Sequence, residues 1–196
     1  MKMLGGNFYD VEKLTKDKDI VESMFSYDDG AYGHCISLPE SGIEHHNNLP
    51  FTGALNHTPY FKEIYDNFET EVLSYRLLRR GPQSSYGLHN DKDIGEDTLR
   101  FQIPIISNDK SWLCTTTYDE IDEGWTEENS YDMISFGKRF EGNYRCYKLP
   151  VGRIYHFDTR KIHTLFNEGD SDRVTLLIDL KKNKWVDKFF SIFRKL

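Results

Sequence analysis

Val72-Leu73-Ser74-Tyr75-Arg76-Leu77-Leu78, closed by the turn residues Arg80-Gly81-Pro82, is the stretch on which the fold turns. It is short, apolar and aromatic, and it stops at turn chemistry, which marks a β-strand. The same signature recurs at residues 99–106, 113–118, 133–137, 144–149, 153–157 and 174–180, with Pro150-Val151-Gly152 as a second plain turn. Many short strands with no helix between them predict a sandwich or barrel.

Helices are expected only at the flanks. Asp10 followed by Val11, Leu14, Ile20, Val21, Met24 and Phe25 predicts a capped helix, or two short ones, near the N-terminus. Residues 26–57, rich in Gly, Asn, His and Pro, read as loops with one short strand at 34–38. Thr58-Pro59 opens a second helix with Phe61, Ile64, Tyr65 and Phe68 on one face. At the other end Trp185, Val186, Phe189, Phe190 and Phe193 recur at helical spacing, beside Lys184, Lys188, Arg194 and Lys195. That segment is expected to pack on the sheet, with an interfacial membrane helix as the alternative. The expectation is one domain over 1–196: helices and loops to 70, a β core over 71–181 and a C-terminal helix over 183–196.

The bulk numbers narrow the function. A net charge of -7 argues against a nucleic-acid partner, because neutralising phosphates needs a surplus of Lys and Arg. No run approaches about 18 uninterrupted apolar residues, so no membrane span is expected. Met1-Lys2-Met3-Leu4-Gly5-Gly6-Asn7 lacks the apolar run of a signal peptide. Cys35, Cys114 and Cys146 are scattered, without a Cys-x-x-Cys spacing, and are expected as thiols in a reducing, cytoplasmic setting.

Chemistry concentrates in the strand-rich half. In Gly87-Leu88-His89-Asn90-Asp91 the His and the Asp lie two apart, so an extended chain points both to one side. A distant His163 follows, and Arg173 stands ten residues later at the head of the apolar run Val174-Thr175-Leu176-Leu177-Ile178. Two His and one carboxylate on one face of an octahedron form the facial triad of non-haem Fe(II) sites, which leaves three positions free. Those positions suit the keto-acid oxygens of 2-oxoglutarate and then O2. A planar, permanently charged Arg suits the far carboxylate of the same co-substrate. His156-Phe157-Asp158 repeats the His-x-Asp pattern but is read as a decoy, because His163 follows too closely to come from a separate strand. His34, His45, His46 and His57, in the loop-rich region, are read as non-ligands. Tyr86, Asn90 and Asn167 flank the motifs as residues that can orient ligands.

Three stretches carry a resemblance to a known family: 81–91; Arg100-Phe101-Gln102-Ile103-Pro104-Ile105-Ile106-Ser107-Asn108; and 149–163 running on through Asn167 and Arg173 to Asp179. Over roughly 72–180 they resemble the aspartyl/asparaginyl β-hydroxylase group of 2-oxoglutarate oxygenases, which also includes free-proline cis-hydroxylases. The resemblance implies a double-stranded β-helix core, mainly β with flanking helices. It implies Fe(II) on His89, Asp91 and His163, and 2-oxoglutarate on Arg173. Gln102, where the family often has His, would help hold the metal-bound end of 2-oxoglutarate. Arg100 would sit over the site near a substrate carboxylate, with pairing to an acidic neighbour inside the barrel mouth as the alternative.

The implied reaction is hydroxylation of a small molecule or peptide: a free amino acid, or an Asp, Asn or Pro side chain. The competing expectation is a non-catalytic or differently metallated cupin-type binding protein, which has no need of Arg173. Residues 109–143 exceed what the family needs and read as an insertion. Asp119, Glu120, Asp122, Glu123, Glu127, Glu128 and Asp132 there stand without a Lys or Arg among them, as a solvated loop or as a lid attracting a cationic group.

Overall fold

The computed structural model describes residues 2–27, 34–41, 50–91, 94–116 and 144–193. In chain order these form β1 (Lys2–Phe8), α1 (Val11–Met24), β2 (His34–Ser37), a 3-10 turn (Ala54–His57), α2 (Pro59–Asp66), β3 (Val72–Arg80), β4 (Ser84–His89), β5 (Thr98–Ile106), β6 (Ser111–Thr116), β7 (Tyr144–Tyr147), β8 (Arg153–His156), β9 (His163–Asn167), β10 (Arg173–Lys181) and α3 (Lys184–Phe193). The strands make two sheets, ordered β1-β8-β5-β10-β3-β2 and β4-β9-β6-β7. Neighbouring strands run antiparallel throughout. Side chains of both sheets line one cavity.

The larger sheet has two faces of different chemistry, because side chains alternate along a strand. Tyr75, Leu77, Phe101, Ile103, Leu176 and Ile178 form one face and pack with Leu14, Val21, Phe61 and Ile64 of the helices into the main apolar core. The opposite face carries Arg76, Leu78, Arg80, Arg100, Gln102 and Leu177 into the cavity. The smaller sheet repeats the division, with Leu88, Cys114, Ile162 and Phe166 clustered on its outer side.

The flanking helices form where their caps and apolar faces predict. Asp10 accepts from the backbone N–H of Glu12 and Lys13 and starts α1. α2 has Pro59 in its first turn but no side-chain cap from Thr58. Asp17 of α1 takes that role, accepting from the N–H groups of Tyr60 and Phe61 at 2.8 Å each while 2% exposed. Tyr75 then donates its hydroxyl to the Phe61 carbonyl at 2.9 Å and ties α2 to β3. In α3, Val186 is buried and Trp185 meets Phe68 edge-on at 6.2 Å, so the start of this helix packs on the body. No described helix is long and apolar enough to cross a membrane.

Three elements depart from expectation. β1, β4 and β9 form where no strand was predicted. Cys114 and Cys146, expected as thiols, are directly opposed partners on β6 and β7 with Cα atoms 4.0 Å apart, and their sulfurs are bonded. The pair is separated by 32 residues, so spacing gives no hint of it, and two of the three cysteines are not the thiols expected of a reducing compartment. Cys35 keeps a buried thiol. The strand expected at 133–137, the acidic residues 119–132, and His45 and His46 lie outside the described residues.

Because one carboxylate caps α2 and joins it to α1, Asp17→Ala should cost about 2–3 kcal/mol, the loss of two hydrogen bonds to a buried charged acceptor. Thermal unfolding should show a Tm lowered by roughly 5–10 °C. Asp17→Asn, which keeps one acceptor oxygen, should lose less.

Candidate metal and co-substrate site

The smaller sheet brings the expected ligands together. β4 and β9 pair with Tyr86 opposite Leu165 and His89 opposite His163. Three steps on β4 therefore face two on β9, which is a β-bulge. The extra residue flips the alternation, so Tyr86 and His89 both face the cavity while Leu88 turns to the outer cluster. Without it the side-chain period of two would send His89 outward. Thr164 pins the bulged strand by donating its hydroxyl to the Tyr86 carbonyl.

His89, Asp91 and His163 each offer a ligand atom, and these atoms lie within 4.8 Å of one another. Asp91 Oδ1 is 3.6 Å from His89 Nε2, and its Oδ2 is 3.8 Å from His163 Nε2. The two imidazoles are aimed alike. His89 Nδ1 lies 2.8 Å from the Gly87 carbonyl, and His163 Nδ1 lies 2.9 Å from the Lys161 carbonyl. A carbonyl only accepts, so each Nδ1 carries the proton and each Nε2 lone pair points to the shared centre. Tyr86 packs on His89 at 4.4 Å and Phe157 on His163 at 5.0 Å, fixing the ring planes.

The electrostatics suit a cation. Burial, with the nearby His163, pushes the His89 imidazole down to about 3. Burial also lowers His163. Burial alone would raise the Asp91 carboxyl, but Arg100, His163 and His89 outweigh it and hold it below the usual carboxylate range. Two neutral imidazoles and one carboxylate at neutral pH are the donor set that a divalent metal requires.

The larger sheet supplies the rest of the wall. Arg173, 2% exposed, donates from Nη2 to Gln102 Oε1 at 3.0 Å, so the two residues expected around 2-oxoglutarate meet. Arg173 Nη1 is buried with no hydrogen-bond partner among the described residues. Burial and the adjacent Arg80, its cross-strand partner, bring the Arg173 guanidinium down to about 10. An orphaned guanidinium nitrogen beside a second cation fits an incoming carboxylate.

Other expected residues take different places. Arg100, expected near a substrate carboxylate, is committed to the protein's own acids. Its Nε and Nη2 reach the two oxygens of Asp179 at 2.7 and 2.9 Å, and its Nη1 reaches Asp91 Oδ2 at 2.6 Å. The cause is register, since Asp179 stands directly across from Arg100 on β10. Asn167 sits at the far end of β9, fully buried. Its bonds go to the carbonyls of Arg80, Gly81 and Ser171 and to Asn108, Ser111 and Gly169, so it closes the end of the barrel rather than orienting a metal ligand. Asn90 lines the cavity. The second His-x-Asp is structural, with His156 Nδ1 at 2.8 Å from the Arg100 carbonyl and Asp158 paired to Arg160. Sequence reasoning missed the part played by Asp179; its only signal was an acid inside an apolar strand.

No protein-family model matches the chain. No curated protein matches it by sequence. Solved structures do match. HygX from Streptomyces hygroscopicus, with nickel and 2-oxoglutarate bound, aligns over 89% of this chain and 78% of its own at 11% identity and a TM-score of 0.58. SnoK, a non-haem α-ketoglutarate-dependent carbocyclase from nogalamycin biosynthesis, covers 88% and 75% at 13% identity and a TM-score of 0.57. An oxidoreductase of the 2OG-Fe(II) oxygenase family from Burkholderia pseudomallei covers 89% and 80% at 11% identity and a TM-score of 0.54. At such identities the likeness concerns the fold. The chain is a double-stranded β-helix of the kind these 2-oxoglutarate oxygenases share.

His163→Ala removes one of the three candidate ligands that the structure brings together. Divalent metal affinity, measured by titrating the metal-free protein, should fall on the order of a hundredfold or more, beyond the range for an outer-shell change. Replacing His156 of the decoy should leave it unchanged.

Proposed function

We propose that the protein is an Fe(II)- and 2-oxoglutarate-dependent dioxygenase that hydroxylates a small substrate. The observation that carries this reading is the pairing of two features across one cavity. His89, Asp91 and His163 converge on one point, and the buried Arg173 with its orphaned Nη1 meets cavity-lining Gln102. A cupin that binds only a metal has no use for the second feature.

Fe(II) with 2-oxoglutarate supplies the oxidation when bound: O2 is consumed, 2-oxoglutarate becomes succinate and CO2, and one oxygen atom enters a substrate C–H bond. The chain's own residues bind, orient and keep the site dry. His89 and His163 present their Nε2 atoms, and Asp91 adds one negative charge. Arg173 would clamp the far carboxylate of the co-substrate, and Gln102, whose oxygen accepts from Arg173, would offer its amide N–H groups to the nearer end. Leu113, Leu165, Leu177 and Phe157 add an apolar stretch of wall, which limits water near the reacting atoms.

The same fold holds 2-oxoglutarate in HygX, which supports the co-substrate assignment. The cavity measures about 290 Å³, at the small end for ligand pockets, and has to admit both co-substrate and substrate. That volume favours a free amino acid or a single Asp, Asn or Pro side chain. It accords with the motif resemblance to the β-hydroxylase and free-proline hydroxylase group.

Anaerobic addition of Fe(II) and 2-oxoglutarate should give the weak visible charge-transfer band of the ternary complex, and admitting air should release succinate. A protein that takes up iron yet yields neither band nor succinate, across a broad panel of amino acids and peptides, would return the assignment to a binding protein. Arg173→Ala should weaken 2-oxoglutarate by roughly a hundredfold or more, since losing a charge-assisted pair in a dry pocket costs about 3 kcal/mol, while metal binding persists.

A further inference from the structure

We infer that Arg100 is a positioning residue of the metal centre and that Asp179 tunes the centre through it. The inference rests on the metal-site reading above. Asp91 is the one proposed ligand outside a strand; it follows the end of β4. Its backbone is fixed by donation from its N–H to the Thr159 carbonyl at 2.8 Å. The carboxylate needs a separate restraint, because its terminal torsion is broad and two-fold. Arg100 provides it. Nη1 takes Oδ2 at 2.6 Å, which leaves Oδ1, the oxygen nearer His89 Nε2, for the cation. The carboxylate is thereby set to bind through one oxygen.

A guanidinium beside a divalent metal would by itself repel it. Asp179 answers that charge. It is fully buried, lies opposite Arg100 in the β5–β10 ladder, and accepts from both Nε and Nη2 in a two-pronged pair. The fork fixes the guanidinium plane, and the added negative charge leaves the Arg100–Asp179 unit neutral toward the metal. Orientation is thus kept and repulsion removed. In a site this buried, charges are weakly screened, so both effects carry to the metal.

Two residues along β5 from Arg100 stands Gln102, which holds Arg173. One strand therefore carries the support of a metal ligand and the support of the co-substrate clamp. A substitution at Asp179 should be felt first at the metal, because its fork belongs to Arg100.

The test titrates metal-free wild type, Arg100→Lys, Arg100→Gln and Asp179→Asn with Co(II), following visible d–d absorption, with the Tm of each variant recorded alongside. Asp179→Asn, which removes the acid that offsets Arg100 apart from Asp91 itself, should weaken Co(II) roughly ten- to a hundredfold and change the band shape. Arg100→Lys keeps the charge but cannot span both acids, and should recover part of the loss seen in Arg100→Gln. A purely structural role would lower Tm and leave the spectrum and affinity of the folded fraction alone. If Asp179→Asn does not fold, Arg100→Lys decides the matter. Wild type that binds Co(II) and releases succinate, with folded variants matching its Kd and spectrum, overturns this inference and leaves the oxygenase reading standing. Wild type that holds Co(II) no better than His163→Ala overturns both.

Discussion

The site depends on a strand that is dry on both sides. β10 runs between β3 and β5, with every residue from Arg173 to Leu180 buried. Val174, Leu176, Ile178 and Leu180 face the helices and belong to the main core. Arg173, Leu177 and Asp179 face the other way. A slip of one residue would carry all three to the helix side and drive apolar side chains into the cavity, so burial on both faces locks the register. That register sets Asp179 opposite Arg100, Leu177 opposite Gln102 and Arg173 opposite Arg80. Polar groups in such a strand need partners, because an unmatched buried charge is costly. Asp179 finds one in the protein, whereas among the described residues Arg173 has a partner for only part of its guanidinium.

The smaller sheet imposes the second condition. Its strands are short and its outer apolar cluster is modest. The positions of His89 and His163 come from the ladder between β4 and β9 and from the bulge within it. The bulge, the Thr164 bond and the two backbone carbonyls at the Nδ1 atoms set ring position, ring plane and tautomer before any ligand arrives. Preorganisation of this kind spares a binding event the cost of ordering side chains.

Much of this was legible in the sequence, for identifiable reasons. Strands β3, β5, β8 and β10 and helices α1 and α2 announce themselves by apolar runs, caps and turn residues. His89 and Asp91 were found because an i, i+2 spacing survives even where the extended chain leaves the sheet. β4 and β9, the strands that carry the two histidines, were not recognised as strands. Ser84-Ser85-Tyr86-Gly87-Leu88-His89 is polar and bulged, so alternation fails across it, and His163-Thr164-Leu165-Phe166-Asn167 is short and buried throughout, so nothing alternates at all. β1 contains two glycines and gains its strand from pairing with β8.

By itself the sequence determined the fold class, and it singled out His89, Asp91 and His163, which the structure brings together, and the arginine ten residues beyond the last of them. These rest on residue type and short spacing, which local chain geometry preserves. The tertiary structure alone decided which partners the charges took. Arg100 meets Asp179 rather than a substrate carboxylate, Asn167 serves the end of the barrel rather than a ligand, and Cys114 reaches Cys146. Each of those outcomes joins residues dozens of positions apart through strand register. Register is fixed by the burial of whole faces and by a single extra residue in β4, quantities that no local stretch of sequence contains.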